Sequence, residues 1–233
     1  MSYSISQFKI DFLEIKIETN NKLLSILATS QILDYVTLHT ERDQSLKNFF
    51  GTLDEGLSSH KDIKPTNYFH GMLLVNYISC LEYFFVELIR VVLKLHPNKV
   101  GKDITLSLNE IFQRSKDEMI ELALDKYINK LMYKKPKEYL KDLCAVLTID
   151  PDPLEASWSI FIEAKSRRDL GIHNNWAVNE LYISKNKEAG NEVEYSLGEL
   201  AFPDGEYTMN LFNSLKELID IITGQVEGKY LAD

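Results

Sequence analysis

Within ten consecutive residues, Lys165-Ser166-Arg167-Arg168-Asp169-Leu170-Gly171-Ile172-His173-Asn174 gathers the side-chain types best suited to act on a phosphodiester. An arginine fork stays charged and donates two parallel hydrogen bonds to phosphate oxygens. An imidazole gives or takes a proton near neutral pH. Together they can run RNA transesterification without a metal. His173 would activate the 2′-hydroxyl or protonate the leaving 5′-oxygen, while Arg168 stabilises the charge that builds on the phosphorane-like transition state. The products would be a 2′,3′-cyclic phosphate, or its opened form, and a 5′-hydroxyl. Asp169 lies four residues before His173, on the same helical face, and can orient the imidazole. Lys165, Arg167 and Asn174 are the candidates for guiding and holding the substrate. Arg168 and His173 are five apart and diverge around a helix, so one chain presents them awkwardly to a single phosphate. A symmetric dimer can bring two of each into one cleft. Plainer roles stay open: Arg168 on a neighbouring carboxylate and His173 on a carbonyl at a helix end, Asp169 as a surface acid, Arg167 and Lys165 as solvated charges.

These residues need a helix to carry them, and the pattern supplies one. Asp150-Pro151-Asp152-Pro153 reads as a stop followed by a start, with Asp152 as cap and Pro153 in the first helical position. The helix that follows has Leu154, Trp158, Phe161 and Ile162 on its apolar face and delivers residues 165–173 at its far end. Upstream, residues 5–33 have helical spacing at Ile10, Leu13 and Ile17, then at Leu23, Leu24 and Leu27. Residues 51–66 read as a surface connection rich in Gly, Ser, Asp and Lys. A stripe of Leu73, Tyr77, Leu81, Phe84, Phe85, Leu88 and Val92 predicts a helix from about Tyr68 to Leu95 that stops before Pro97. Ser107 with Glu110, and Ser115 with Glu118, each fit a capping box, so a short helix leads into a longer one ending near Tyr133. Pro136 opens another, to about Leu147. Residues 176–204 lack helical periodicity, and short runs at Glu180–Ser184 and Val193–Leu197 can pair as a small hairpin. A final amphipathic helix covers roughly 206–224. The expected architecture is therefore all-α: one domain over residues 1–233, about five long helices, and a small irregular or hairpin insert before the last.

Bulk properties narrow the function classes. The chain has 233 residues, 45% of them apolar, enough for a sizeable core. Its formal net charge of −9 argues against a whole-surface nucleic-acid binder but leaves room for a local basic cleft. The densest basic cluster is Lys134-Lys135-Pro136-Lys137 with Lys130 and Lys141, either a solvated helix boundary or a track for an RNA backbone. Cys80 and Cys144 sit in apolar helical contexts and read as buried, reduced thiols. No Cys/His cluster has metal-ligand spacing and no Gly-rich phosphate loop is present, so neither a metal nor a cofactor is expected. No basic leader precedes an apolar run, and no uninterrupted apolar stretch approaches the roughly 18 residues that span a bilayer. A soluble, cytoplasmic protein is expected. His39, His60, His70 and His96 lack partners at useful spacing. Tyr83, Phe84 and Phe85 read as core aromatics, and Glu82 as either a polar position or an acid near the cleft.

Arg168-Asp169-Leu170-Gly171-Ile172-His173, followed by Asn174, resembles the signature of the HEPN superfamily: an arginine, a polar residue, three more residues, then histidine. Two further segments agree. Leu81-Glu82-Tyr83-Phe84-Phe85-Val86-Glu87-Leu88-Ile89 is similar to the Leu-Glu-x-Phe-type helix of prokaryotic HEPN proteins, and Val178-Asn179-x-x-Tyr182 to the turn that follows their His-Asn. The resemblance implies a HEPN-like helical bundle and a homodimeric, metal-independent endoribonuclease with a composite active site. Its class would be toxin or phage-defence effector, acting on RNA, with an antitoxin or a nucleotidyltransferase as a possible protein partner. The alternative is a catalytically silent HEPN module that binds a partner protein or a nucleotide. Trp176 departs from the pattern, since several relatives carry a small residue there. Its indole would either block the cleft or stack on a base.

Overall fold

In a computed structural model, residues 3–57, 65–100 and 104–232 are described. Among them the fold is all-α, with nine helices and no strand: α1 (Ile5–His39), α2 (Gln44–Leu57), α3 (Pro65–Leu95), α4 (Leu108–Phe112), α5 (Lys116–Met132), α6 (Pro136–Leu147), α7 (Glu155–His173), α8 (Glu180–Ala189) and α9 (Gly205–Tyr230). Local sequence chemistry sets most of these boundaries. Ser107 and Ser115 both form complete capping boxes, each hydroxyl taking an N–H of the first turn while Glu110 or Glu118 reaches back to the cap. Hydrogen bonds from Lys126 and Ser107 hold the Glu110 carboxyl down at about 2. Pro136 occupies the first turn of α6, where its missing N–H leaves nothing unsatisfied. Thr148 ends α6 in the left-handed region at φ 58°.

Beyond the extension of α1 to His39 and of α9 to Tyr230, three boundaries differ from the pattern. Helix α2 runs through Leu57, into the stretch read as a surface connection, and residues 58–64, with His60, lie outside the described residues. The turn before α7 starts earlier than expected: it is the Asp150 carboxylate that accepts the Asp152 N–H, at 3.2 Å. The third concerns Glu180–Ser184, which is helical, not extended. Asn179 caps α8 by accepting the Tyr182 N–H at 2.9 Å, and Gly190 closes it at φ 90°. A capping Asn and a terminal Gly decide this segment over its alternating apolar run.

The chain forms two compact units, both discontinuous in sequence: residues 1–18, 82–155 and 220–233 in one, residues 19–81 and 156–219 in the other. In the first, Phe84, Phe85, Leu88, Leu143 and Leu147 are fully buried, and Phe85 meets Tyr139 edge to face with centroids 6.2 Å apart. Phe8 lies against Tyr230, and Lys16 pairs with Glu227 at 2.6 Å. Tyr83, expected in the core, is exposed and donates to Glu18 at 3.2 Å. Cys144 is a buried free thiol whose pKa rises to about 12, chiefly through desolvation. In the second unit, Tyr77, Phe161, Leu211 and Leu215 make the core, and Cys80 is likewise a buried thiol in no disulfide, donating to the Thr19 carbonyl at 3.8 Å. Helix α3 has the most membrane-like composition, a window of mean hydropathy 1.6 over Thr66–Leu95, but 56% of that window is buried inside the protein. Its apolar surface serves as core.

Candidate functional site

Helix α7 carries the Arg168–His173 segment, and the second unit grips its C-terminal half at three places. The first is an ionic cluster. Glu163 and Arg167, one turn apart, form a 2.7 Å ion pair with side chains 18% and 7% exposed. Tyr182 and Tyr207 donate to the two Glu163 oxygens at 2.6 and 2.7 Å, and Arg167 donates to the Tyr195 hydroxyl at 3.1 Å. The guanidinium also lies over the Tyr207 ring, 4.2 Å from its centroid. Burial opposes the charge of Arg167, yet Glu163 and the surrounding tyrosines outweigh it and hold the guanidinium pKa above its ordinary value. Burial and the neighbouring carboxylate push Tyr182 and Tyr207 upward as well.

The second grip is a slot made of two glycines. Trp176 lies flat enough that a Cβ on Gly171 would stand 2.5 Å from its Cζ2, and a Cβ on Gly71 of α3 would stand 2.6 Å from the same atom. Phe202 covers it, with centroids 5.0 Å apart. The backbone reaches this slot by an abrupt turn in which Asn175 and Trp176 both have positive φ, 52° and 65°. An L-residue other than Gly or Asn rarely adopts this region, at a cost of roughly 1–2 kcal/mol. Burying the indole offsets that strain. Leu170 O accepts from both Asn174 N, at 2.8 Å, and Trp176 N, at 3.1 Å, so the last turn of α7 closes on itself. Gly171 therefore does not loosen the helix, which continues to His173. Nor is Trp176 placed to stack on a base, because it is buried.

The third grip follows directly. Residues 176–178 pair with 198–201 through Val178 N to Glu199 O (2.8 Å), Gly198 N to Val178 O (2.8 Å) and Ala201 N to Trp176 O (3.0 Å). The small core of Leu170, Val178, Tyr182 and Ala201 fills the space between. The expected hairpin of Glu180–Ser184 with Val193–Leu197 does not form; a single antiparallel bridge, Ala177 with Leu200, lies outside both runs.

On this frame the sequence-predicted residues divide. His173 is exposed on the last turn of α7, and Asn174 beside it donates its side-chain amide to Ala177 O. Arg168 is nearby, with its side chain 14% exposed and its Nε 3.0 Å from Asp169 Oδ1. An ideal helix sets positions 168 and 173 roughly 140° apart around the axis and ~7.5 Å apart along it. Asp169 does not orient His173: its carboxylate faces Arg168 on one side and Lys185 of α8, at 3.5 Å, on the other. Arg167 is not the solvated substrate guide of the sequence reading, because it is buried in the ionic cluster. Lys165 is half-buried, its ammonium 6.0 Å from the Phe161 ring centroid.

Two participants escaped the sequence reading. Lys185 was hidden by the strand assignment of its neighbours, though the Asn179 cap and Gly190 stop would have placed it on a helix. The pairing of Glu163 with Arg167 was legible as a Glu-to-Arg spacing of four on one helix. His70 also has partners that no spacing reveals: its Nδ1 is 3.2 Å from Thr208 Oγ1, and its Nε2 is 3.6 Å from Asp34 Oδ1. Among the described residues no group of His, Cys, Asp and Glu side chains could hold a metal ion.

Comparisons with protein-family models, with curated proteins and with solved structures found no match. The class defined by the fold is an all-α helical protein.

Proposed function

We propose that the chain is a metal-independent endoribonuclease of HEPN type that works as a homodimer. The observation that carries the reading is the exposed imidazole of His173 on the last turn of α7, with the guanidinium of Arg168 on the same helix. The attacking 2′-oxygen would bond to phosphorus as the 5′-oxygen leaves. His173 would move the proton and Arg168 would stabilise the oxygens of the transition state. Their divergence around α7 is the reason for a dimer, in which His173 of one copy serves a phosphate held by Arg168 of the other. Ile172, 52% exposed beside His173, adds apolar surface that such an interface would cover. Lys165, Asn174 and the newly placed Lys185 are the nearby groups for the RNA backbone. In this reading the protein is a cytoplasmic toxin or phage-defence effector, restrained by an antitoxin or nucleotidyltransferase partner.

A second reading, a catalytically silent helical module, has its own observation. Arg168 is largely covered and engaged by Asp169, as a structural arginine would be. The two separate in one experiment: cleavage of a mixed RNA pool by purified protein in excess EDTA, beside Arg168→Ala and His173→Ala variants. The ribonuclease should leave 5′-hydroxyl ends, and both variants should lose activity. Cleavage unchanged in either variant would refute the site. No cleavage by folded, dimeric protein would select the silent module.

A further inference from the structure

Between the middle of α7, the residues after α8 and the first half of α9 lies a pocket of about 260 Å³, wholly inside the second unit. Most of its side-chain donors are already engaged. The Asn191 amide gives one N–H to the Ser159 carbonyl at 2.8 Å and the other to Asn186 Oδ1 at 3.0 Å. Ser214 donates its hydroxyl proton to the Asn210 carbonyl at 3.1 Å, and Tyr207 donates its own to Glu163 Oε2 at 2.7 Å. What these groups still offer a ligand is lone pairs, on Asn191 Oδ1 and on the Ser214 and Tyr207 oxygens. Glu163 accepts from Arg167, Tyr182 and Tyr207, and a carboxylate has about four acceptor positions, so one is left. Arg167 balances its charge. Glu192 differs, because its carboxylate is exposed and has no partner among the described residues. Only the Asn210 amide keeps side-chain donors of its own. Ile160, 39% exposed, and Leu211 supply apolar wall.

We propose that this pocket binds a compact primary amine, its ammonium among Asn191, Glu163 and Glu192 and its carbon skeleton against Ile160 and Leu211. An ammonium has three donors and no acceptor, the complement of a lining that is rich in acceptors and poor in donors. Its single positive charge matches the one carboxylate of the lining that nothing else neutralises. An anion would meet Glu192 and find almost no donor to compensate. The volume is below the ~300 Å³ at which drug-sized ligand pockets begin, so the ligand is compact.

The test uses the full chain with benzylamine as the probe, followed by calorimetry and by amide chemical shifts. Saturable one-to-one binding is expected, weakened about threefold in Glu192→Gln, as suits an exposed charge pair. Asn210→Trp, which fills the pocket from an exposed position on α9 without altering charge, should abolish saturation. Benzyl alcohol, which lacks the charge, and benzyltrimethylammonium, which keeps the charge but has no donor, should each bind about tenfold more weakly. Unchanged affinity in either variant, both with wild-type circular dichroism, would overturn the proposal. So would benzyltrimethylammonium binding as tightly as benzylamine, or no saturation by about 20 mM probe. A capped lysine tripeptide that binds more tightly than benzylamine would also overturn it, in favour of a protein tail. None of these outcomes depends on whether Arg168 and His173 cleave RNA.

Discussion

Substituting Gly171 by Ala should destabilise this protein, although the same change favours most helices. In an exposed helix interior, Ala is better than Gly by about 1 kcal/mol. Here the new Cβ would meet Trp176 Cζ2, Cη2 and Cε2 at 2.5, 2.6 and 2.8 Å, all far inside ordinary contact. The ring cannot simply slide away, because Gly71 already confines it from the other side at 2.6 Å. Overpacking of this kind costs about 1–3 kcal/mol. Three simultaneous contacts against a rigid ring put the site at the upper end, so the net loss should be about 2 kcal/mol. For a chain of this length that is a fall in Tm of roughly 4–8 °C. Trp176→Ala alone should lose about 3–5 kcal/mol through the cavity it leaves. With the indole gone, Gly171→Ala should change sign and stabilise by about 0.5–1 kcal/mol. Urea unfolding of the four proteins, with matched m values, gives the coupling directly. If Gly171→Ala stabilises the protein while Trp176 is present, or has the same effect in both backgrounds, the slot does not hold the indole as described.

Arg167→Ala should lose about 3–5 kcal/mol, because it strands the Glu163 carboxylate in a buried setting. Glu163→Gln should lose less, since the amide oxygen still accepts a hydrogen bond; equal and negligible effects in urea would contradict the ionic cluster. Burial lowers the His70 pKa despite Asp34 and Asp204, so as pH falls below the ordinary histidine value near 6.5 the unfolded chain takes up the proton first. Stability should therefore be complete above that value and decline between it and the lower folded value, with a shallower decline in His70→Asn; a rise in stability on acidification from pH 7 to 5.5 would refute this. Cys80 and Cys144 should resist a thiol reagent in the native protein and both react after unfolding, and rapid native labelling of either would contradict its burial.

How far the sequence could be read depended on how local the physics was. Helices α3, α5, α6 and α9 were legible because their apolar stripes, capping boxes and prolines act within a few residues. That residues 165–173 end a helix was legible for the same reason, and α7 runs through His173. What failed was relational. Asp169 shares a helical face with His173, but Lys185 arrives from α8, beside a flanking arginine, and takes the carboxylate. Arg167 looks like any surface cation until Tyr195 and Tyr207 close over it. Trp176 looked like a choice between blocking and stacking. A glycine on α3 and another on α7, a hundred residues apart in the chain, supply a third outcome that neither segment announces alone.

The division of each unit between distant parts of the chain also has a consequence for how the protein is made. Lys16 waits for Glu227, 211 residues later, and Phe8 waits for Tyr230. In the other unit, Tyr77 and His70 wait for Phe212 and Thr208 on the same last helix. Neither unit can close while α9 is still inside the ribosome, so the usual order, in which an N-terminal domain folds first during synthesis, is unavailable to it. At 5–20 residues per second, the apolar faces of α1 and α3 would stay uncovered for on the order of ten seconds or more. A nascent chain with that much open surface should be a customer of ribosome-associated chaperones. Its yield should depend on them more steeply than the stability of the finished fold would indicate.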